Sequence, residues 1–225
     1  MDSSIVTILN HIFNRNKVDV ANLKAVEKDG CISLLTSLNY SLEEFFNKID
    51  FTDEEKGQIL LSLLMQGISV KNILELIDWK GFENVITALF DELGYSVLSN
   101  FRFKDEFTKY EIDVLAFKYP YLFLIDCKHY RHPSPSIMKD AAIKQKERTE
   151  VLYEIFPVVS EELISKLALP LKREMKLYPL ILSWRDHNIQ FSSEIPIIPF
   201  SQLSGFLQEI DELRDGLFYI PLYLN

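Results

Sequence analysis

With 225 residues, 48% of them hydrophobic and 25% charged, the chain has the balance of a globular protein, which excludes a disordered or fibrous one. Thirty-three acids against twenty-four bases give a net charge of −9, so an evenly charged surface would repel a polyanion and any nucleic-acid role needs a local basic patch. Two cysteines, Cys31 and Cys127, exclude a disulfide framework and a four-cysteine zinc cage and point to a reducing compartment, the cytoplasm.

The first ten residues carry Asp2 and polar serines and do not suit a secretory leader. The most apolar window, Ile59 to Val70, is interrupted by Gln66 and Gly67 and is shorter than the roughly 20 residues of a membrane helix. Residues 1–78 show only helical spacing of apolar residues, as in Ile5, Ile8, Leu9 and Ile12, and are expected to form an all-helical module that packs or positions a partner. Thr52 with Glu55 forms a capping box opening a helix that runs to Met65, and Gly67 breaks the chain before a second helix over Ser69 to Ile77. That pair could serve as a DNA-reading helix-turn-helix, but the second helix offers only Lys71 as a base and carries Glu75 and Asp78, so plain helical packing is preferred.

Residues 79–225 form the second expected domain. Trp79 to Leu93 reads as an amphipathic helix, with Phe82, Val85, Ile86, Leu89, Phe90 and Leu93 on one stripe and Gly94 ending it. Strands follow at Tyr95 to Phe103, Tyr110 to Phe117, Tyr121 to Lys128, Leu177 to Trp184 and Ile195 to Ile198. Two helices, Ser134 to Phe156 and Ser160 to Leu169, separate the third strand from the fourth, and a last helix, Ser201 to Leu213, follows the fifth.

The second and third strands are so close that an antiparallel hairpin is the natural connection. A turn centred between Tyr119 and Pro120 opposes residues whose numbers sum to 239, setting Asp113 across from Asp126 and Glu111 across from Lys128. Alternation gives one apolar face, Ile112, Val114, Ala116, Phe123, Ile125 and Cys127. The other face is apolar near the turn and ends in Glu111, Asp113, Asp126 and Lys128. Opposed like charges in a sheet are destabilising. A divalent cation such as Mg²⁺ explains Asp113 beside Asp126, and Lys128 on the same face can orient a water and offset charge on phosphorus. A solvated ion-pair cluster is the plainer alternative. Glu83 borders the apolar stripe of the Trp79 helix, where an ordinary first-turn glutamate is the alternative.

Gly81-Phe82-Glu83, Leu93-Gly94-Tyr95, Glu111-Ile112-Asp113 and Leu124-Ile125-Asp126-Cys127-Lys128-His129-Tyr130 together resemble the PD-(D/E)xK nucleases of the restriction-endonuclease-like superfamily. The likeness is strongest to Mrr-like restriction enzymes and archaeal Holliday-junction resolvases. It covers roughly Trp79 to Leu213, with Tyr178 to Leu182 and Ile195 to Leu203 similar to the closing strands and helix. Ile112 stands where the motif has proline, and the Lys128 to Leu177 segment is long. The resemblance implies a restriction-endonuclease-like α/β fold, a mixed sheet flanked by helices, and a Mg²⁺-dependent endonuclease, with Mn²⁺ as substitute. DNA is the expected substrate and a homodimer is compatible with the sequence. Asp113 and Asp126 would be metal ligands, joined by Glu83 and the Cys127 carbonyl, and Lys128 the catalytic lysine.

Lys128 to Arg148 holds six bases against Asp140 and Glu147, a basic strip in an acidic chain. Arg131, Lys139, Lys144, Gln145, Lys146 and Arg148 are its candidate nucleic-acid contacts; a solvated helix face is the plainer alternative. The rival to an enzyme is a catalytically inactive nuclease-fold protein acting as a nucleic-acid-binding or assembly scaffold.

Overall fold

A computed structural model of the protein describes residues 3–14, 18–68, 73, 77–130, 134–185, 187, 190–213 and 216–224. The chain divides into two compact units, Met1–Leu89 and Phe90–Asn225.

The first unit contains α1 (Ser3–Asn14), α2 (Ala25–Thr36), α3 (Leu42–Asn47), α4 (Asp53–Met65) and most of α5 (Trp79–Glu92). Two of these helices open on reciprocal caps: Ser41 and Glu44 for α3, Thr52 and Glu55 for α4. Each side chain satisfies a backbone N–H that the first turn leaves unpaired. Gly67 ends α4 at φ +83°, a left-handed conformation glycine adopts at no steric cost. The second helix expected over Ser69 to Ile77 lies largely outside the described residues. The core of the unit is aromatic around His11, whose ring packs against Phe45, Phe46 and Phe51 at centroid distances of 5.0–5.8 Å while Nε2 meets the Phe45 carbonyl at 3.0 Å.

The second unit is built on a seven-stranded mixed sheet of β1 (Ser96–Lys104), β2 (Lys109–Lys118), β3 (Tyr121–Lys128), β4 (Glu174–Ser183), β5 (Phe191–Ser192), β6 (Ile195–Pro199) and β7 (Ile220–Tyr223). The order is β1-β2-β3-β4-β6-β5, with β7 on the first part of β4. β1, β2 and β3 are antiparallel neighbours, while β3, β4 and β6 run parallel. β5 and β7, two and four residues long, are too short to show in the sequence. α6 (Pro135–Leu167) crosses from β3 to β4, and α7 (Leu203–Leu213) follows β6.

Sequence spacing gives two helices between β3 and β4; the structure has one, running through Pro157. Proline removes one hydrogen bond and crowds the preceding turn. Burial on both sides of Pro157 outweighs that cost: Leu152, Phe156, Leu163 and Leu167 share one core cluster with Leu122, Leu124 and Leu177. Strand alternation also departs from expectation. Ile112 joins the cluster that holds Leu115 and Phe117, and on β1 Phe101 and Phe103 join Leu98. On β1 the change falls at Asn100, which takes φ 53°, while the register with β2 is the same on both sides of it, Ser99 opposite Val114 and Phe101 opposite Ile112.

Gly57 sets the approach of α4 to α5. A Cβ there would collide with the Asn84 carbonyl oxygen and come within 3.2 Å of Ala88 Cβ, and both obstacles are rigid. Gly57→Ala is therefore expected to lower the stability of the first unit by about 1–3 kcal/mol, despite alanine's better helix propensity. Urea denaturation of the full chain checks this; an unchanged or raised midpoint would contradict the close-packing account.

Candidate active site

The β2–β3 hairpin has the expected register, with Lys118 opposite Tyr121 and Val114 opposite Ile125. The paired residues end there. One step further Asp113 would face Asp126, but its Oδ2 accepts the Cys127 N–H at 2.7 Å. A side chain thus takes a donor near the end of the ladder, and the strands part. β2 continues along β1, with Glu111 opposite Arg102, while β3 continues along β4, with Asp126 opposite Ile181 and Lys128 opposite Ser183. Glu111 consequently does not pair with Lys128 as the extrapolated register had it. Its carboxylate takes Arg102 Nε at 3.0 Å and Nη2 at 3.3 Å.

Asp126 is 3% exposed and lies between two cations. Arg148 Nη1 donates to Oδ1 at 2.8 Å, and Lys128 Nζ stands 2.6 Å from Oδ2. The second contact is an ion pair by distance but lacks hydrogen-bond alignment, so the buried Oδ2 receives no directed donor. Behind Arg148 stands Gln145, with no exposed surface. Its Nε2 donates to the Leu124 carbonyl at 2.7 Å and its Oε1 accepts from Arg148 Nη1 at 3.0 Å. The Thr149 hydroxyl, buried with it, donates to the Gln145 carbonyl at 2.8 Å. α6 therefore carries a hydrogen-bonded support from the backbone of β3 back to the Asp126 carboxylate.

Burial, joined by the Asp126 charge, raises the Asp113 carboxyl to about 6, against the opposing pull of the Cys127 N–H, Lys128 and Arg148. Burial alone would lower the Lys128 ammonium, but its close contact with the Asp126 carboxylate, with the charges of Tyr130 and Asp113, outweighs burial and raises its pKa. Lys128 is thus a cation at neutral pH, suited to orienting an oxygen or balancing negative charge and not to accepting a proton.

Among the described residues no group of three or more His, Cys, Asp and Glu side chains is gathered as a metal cluster. The donors brought together by the fork are two carboxylates, with the Cys127 main chain beside them. That set fits Mg²⁺, which takes hard oxygen ligands and is commonly held by one or two carboxylates, several waters and substrate phosphate. The buried Asp126 Oδ2, without a directed donor, is the oxygen most suited to it.

The remaining candidates are dispersed. Glu83 lies on α5 in the other unit, 5% exposed, with Lys80 Nζ 3.2 Å from its Oε2; an exposed helix glutamate is not what stands there. Lys139 and Lys144 are exposed on α6. Lys146 lies over the Phe218 ring at 4.2 Å, and Arg131 falls outside the described residues. Of the other candidate nucleic-acid contacts, Arg148 bonds Asp126 and Gln145 bonds Arg148. The burial of Gln145 was available from spacing: Met138, Ala141, Ala142, Gln145, Thr149 and Leu152 recur along one face of the helix and are all buried.

Ionising Asp113 in the fold costs on the order of 3 kcal/mol, because its carboxyl titrates near 6 when folded and near 3.9 when unfolded. The cost is absent below about pH 4, where the group is neutral in both states, and complete above about pH 6. Asp113→Asn, which keeps an acceptor for Cys127, is expected to stabilise the metal-free protein at pH 7.5 and to leave it unchanged near pH 4. Thermal melts in EDTA at the two pH values check this, and equal shifts at both would contradict it.

Residues 77–167 match the model of a nuclease-related domain. An uncharacterized protein of Archaeoglobus fulgidus is 27% identical over 135 residues, 59% of this chain and 91% of the relative. The crystal structure of a protein of unknown function, AF1548, covers 61% of this chain and 78% of its own at 18% identity and a TM-score of 0.33. The nuclease-related span takes in Glu83, Asp113, Asp126, Lys128, Gln145 and Arg148. Over that span the chain is similar to nuclease-related domains.

Proposed function

We propose that the chain is a metal-dependent nuclease that hydrolyses phosphodiester bonds of DNA as an endonuclease. The observation that carries the reading is the pairing of half-buried Asp113 with buried Asp126 at the fork of β2 and β3, with the Lys128 ammonium 2.6 Å from Asp126. A structural ion-pair cluster needs no second carboxylate in so little solvent, whereas a cation-binding site does.

In this reading Asp113 and Asp126, with the Cys127 carbonyl, hold Mg²⁺ or Mn²⁺, which supplies Lewis acidity toward a phosphoryl oxygen. Glu83, within the same nuclease-related span, is the third acid. Lys128 orients the attacking water and balances the charge that grows on phosphorus. Arg148 keeps Asp126 in place through Oδ1, so that Oδ2, beside Lys128, would be the oxygen offered to a metal, and Gln145 keeps Arg148 in place. The first helical unit, residues 1–78 in sequence terms, would position a partner or the substrate.

A scaffold without activity is favoured by one observation, the contact of both Asp126 oxygens with Arg148 and Lys128, which balances the carboxylate without a metal. The two readings separate by experiment. The purified full chain should nick or cut duplex, single-stranded or branched DNA with Mg²⁺ or Mn²⁺ and stop in EDTA. Asp113→Ala and Asp126→Ala should lose Mn²⁺ binding by calorimetry together with cleavage. Lys128→Ala should retain Mn²⁺ and lose roughly 10²- to 10³-fold in rate, and Glu83→Gln tests the third acid. No divalent-cation binding and no cleavage by the wild type would leave the scaffold.

A further inference from the structure

The β1–β2 hairpin extends past the fork as an arm. From Asp113 the strand runs out through Glu111 to Lys109, a reach of about 13 Å at the ordinary strand rise. On β1, Arg102 opposes Glu111 and Lys104 opposes Lys109. The lysine pair is the anomaly: side chains directly opposite lie about 5 Å apart at Cβ, where like charges are destabilising. Neither lysine has an ion-pair partner among the described residues. With Arg102 they line a hollow of about 510 Å³ along the hairpin.

At the tip, Phe107 is 92% exposed, and the loop that presents it is ordered. Asp105 Oδ1 accepts the Phe107 and Thr108 N–H groups at 2.7 and 2.6 Å, and Tyr110 donates its hydroxyl to Oδ2 at 3.1 Å. Below, Phe103 stacks on Tyr110 at 5.3 Å and on Phe101 at 5.7 Å. Of the acids on the arm, Asp105 is turned into the loop and Glu111 is matched by Arg102, which leaves Glu106 as the outward negative charge against Lys104 and Lys109.

We infer that this arm is a single-strand binding element: Lys104 and Lys109 take phosphates of a strand leading to the fork, and Phe107 stacks on an unpaired base. The inference rests on the nuclease reading for its direction and names the substrate class, nucleic acid with unpaired bases next to the bond to be cut. Alternating cations and an exposed aromatic ring are what single-strand binding requires, since every base offers a π-face and every link a phosphate. A duplex, with its bases already stacked, gives Phe107 nothing to stack on.

The test is binding in EDTA, which is independent of cleavage. The probe is a short fluorescein-labelled oligodeoxythymidine, compared with its duplex, on the full-length protein. Phe107→Ala should weaken single-strand binding about 5- to 150-fold, the range for removing a single base–aromatic stack, and change duplex binding little. Phe107→Trp should restore affinity and show quenched fluorescence on binding. Lys104→Glu should lower the slope of log affinity against log salt by about 0.7 for each phosphate that the variant no longer neutralises and raise the melting temperature by relieving the lysine pair. Single-strand affinity unchanged in Phe107→Ala and Lys104→Glu, or a tip that drives self-association without binding the oligonucleotide, would overturn the inference. A wild type that binds through the arm but never cuts with Mn²⁺ would instead overturn the nuclease reading and leave the arm standing.

Discussion

The site depends on one constraint: two carboxylates, half-buried Asp113 and buried Asp126, stand side by side at the fork with little water to screen one charge from the other. Their coexistence is made tolerable by opposite charge delivered from two directions. Lys128 comes from the same strand as Asp126, two residues on, and Arg148 comes from α6 beneath. The compensation is unequal. Asp126 has both cations in direct contact, whereas Asp113 has a single backbone N–H and feels the cations at a distance, and its carboxyl is the one raised to about 6. By accepting the Cys127 N–H, Asp113 ends the β2–β3 ladder, and the end of the ladder opens the fork.

Much of this was legible in the residues. The hairpin register followed from a short turn and two alternating strands, and the order of Asp113, Asp126 and Lys128 along it followed from that register. The capping box at Thr52 and the left-handed Gly67 fixed the ends of α4 as expected. What failed to show was whatever depends on partners distant in the chain. Pro157 argued for a break because local cost is visible in sequence, while the burial of Leu163 and Leu167 that overrides it is not. Glu111 was assigned to the wrong partner because extrapolating a ladder cannot foresee a side chain interrupting it. Gln145 and Arg148 were grouped with a basic surface by composition, although the spacing of their neighbours already set Gln145 on the buried face of α6.

The acidic balance of the chain also takes on local meaning. A net charge of −9 runs against the proposed nucleic-acid substrate, yet the bases differ in where they stand. Arg148 and Lys128 are engaged within the protein by Asp126, so they add little to its external field. Lys104, Lys109, Lys139 and Lys144 remain at the surface, and it is their arrangement, and not the total, that governs approach of a charged strand.

The crossover between β3 and β4 has a consequence for how the site assembles in time. Val114 and Ile125 are eleven residues apart, whereas Ile125 and Leu180, paired across the parallel ladder, are fifty-five apart. Closing the short loop is entropically cheap and closing the long one is not. The hairpin can thus juxtapose the two acids while water still screens them, and the desolvation that makes the pair costly arrives only with the crossover. Because α6 lies within that crossover, the segment that excludes water brings its own arginine with it. The hairpin thus carries one counterion, Lys128, from the start, and the second, Arg148, is delivered by the same segment that covers the acids.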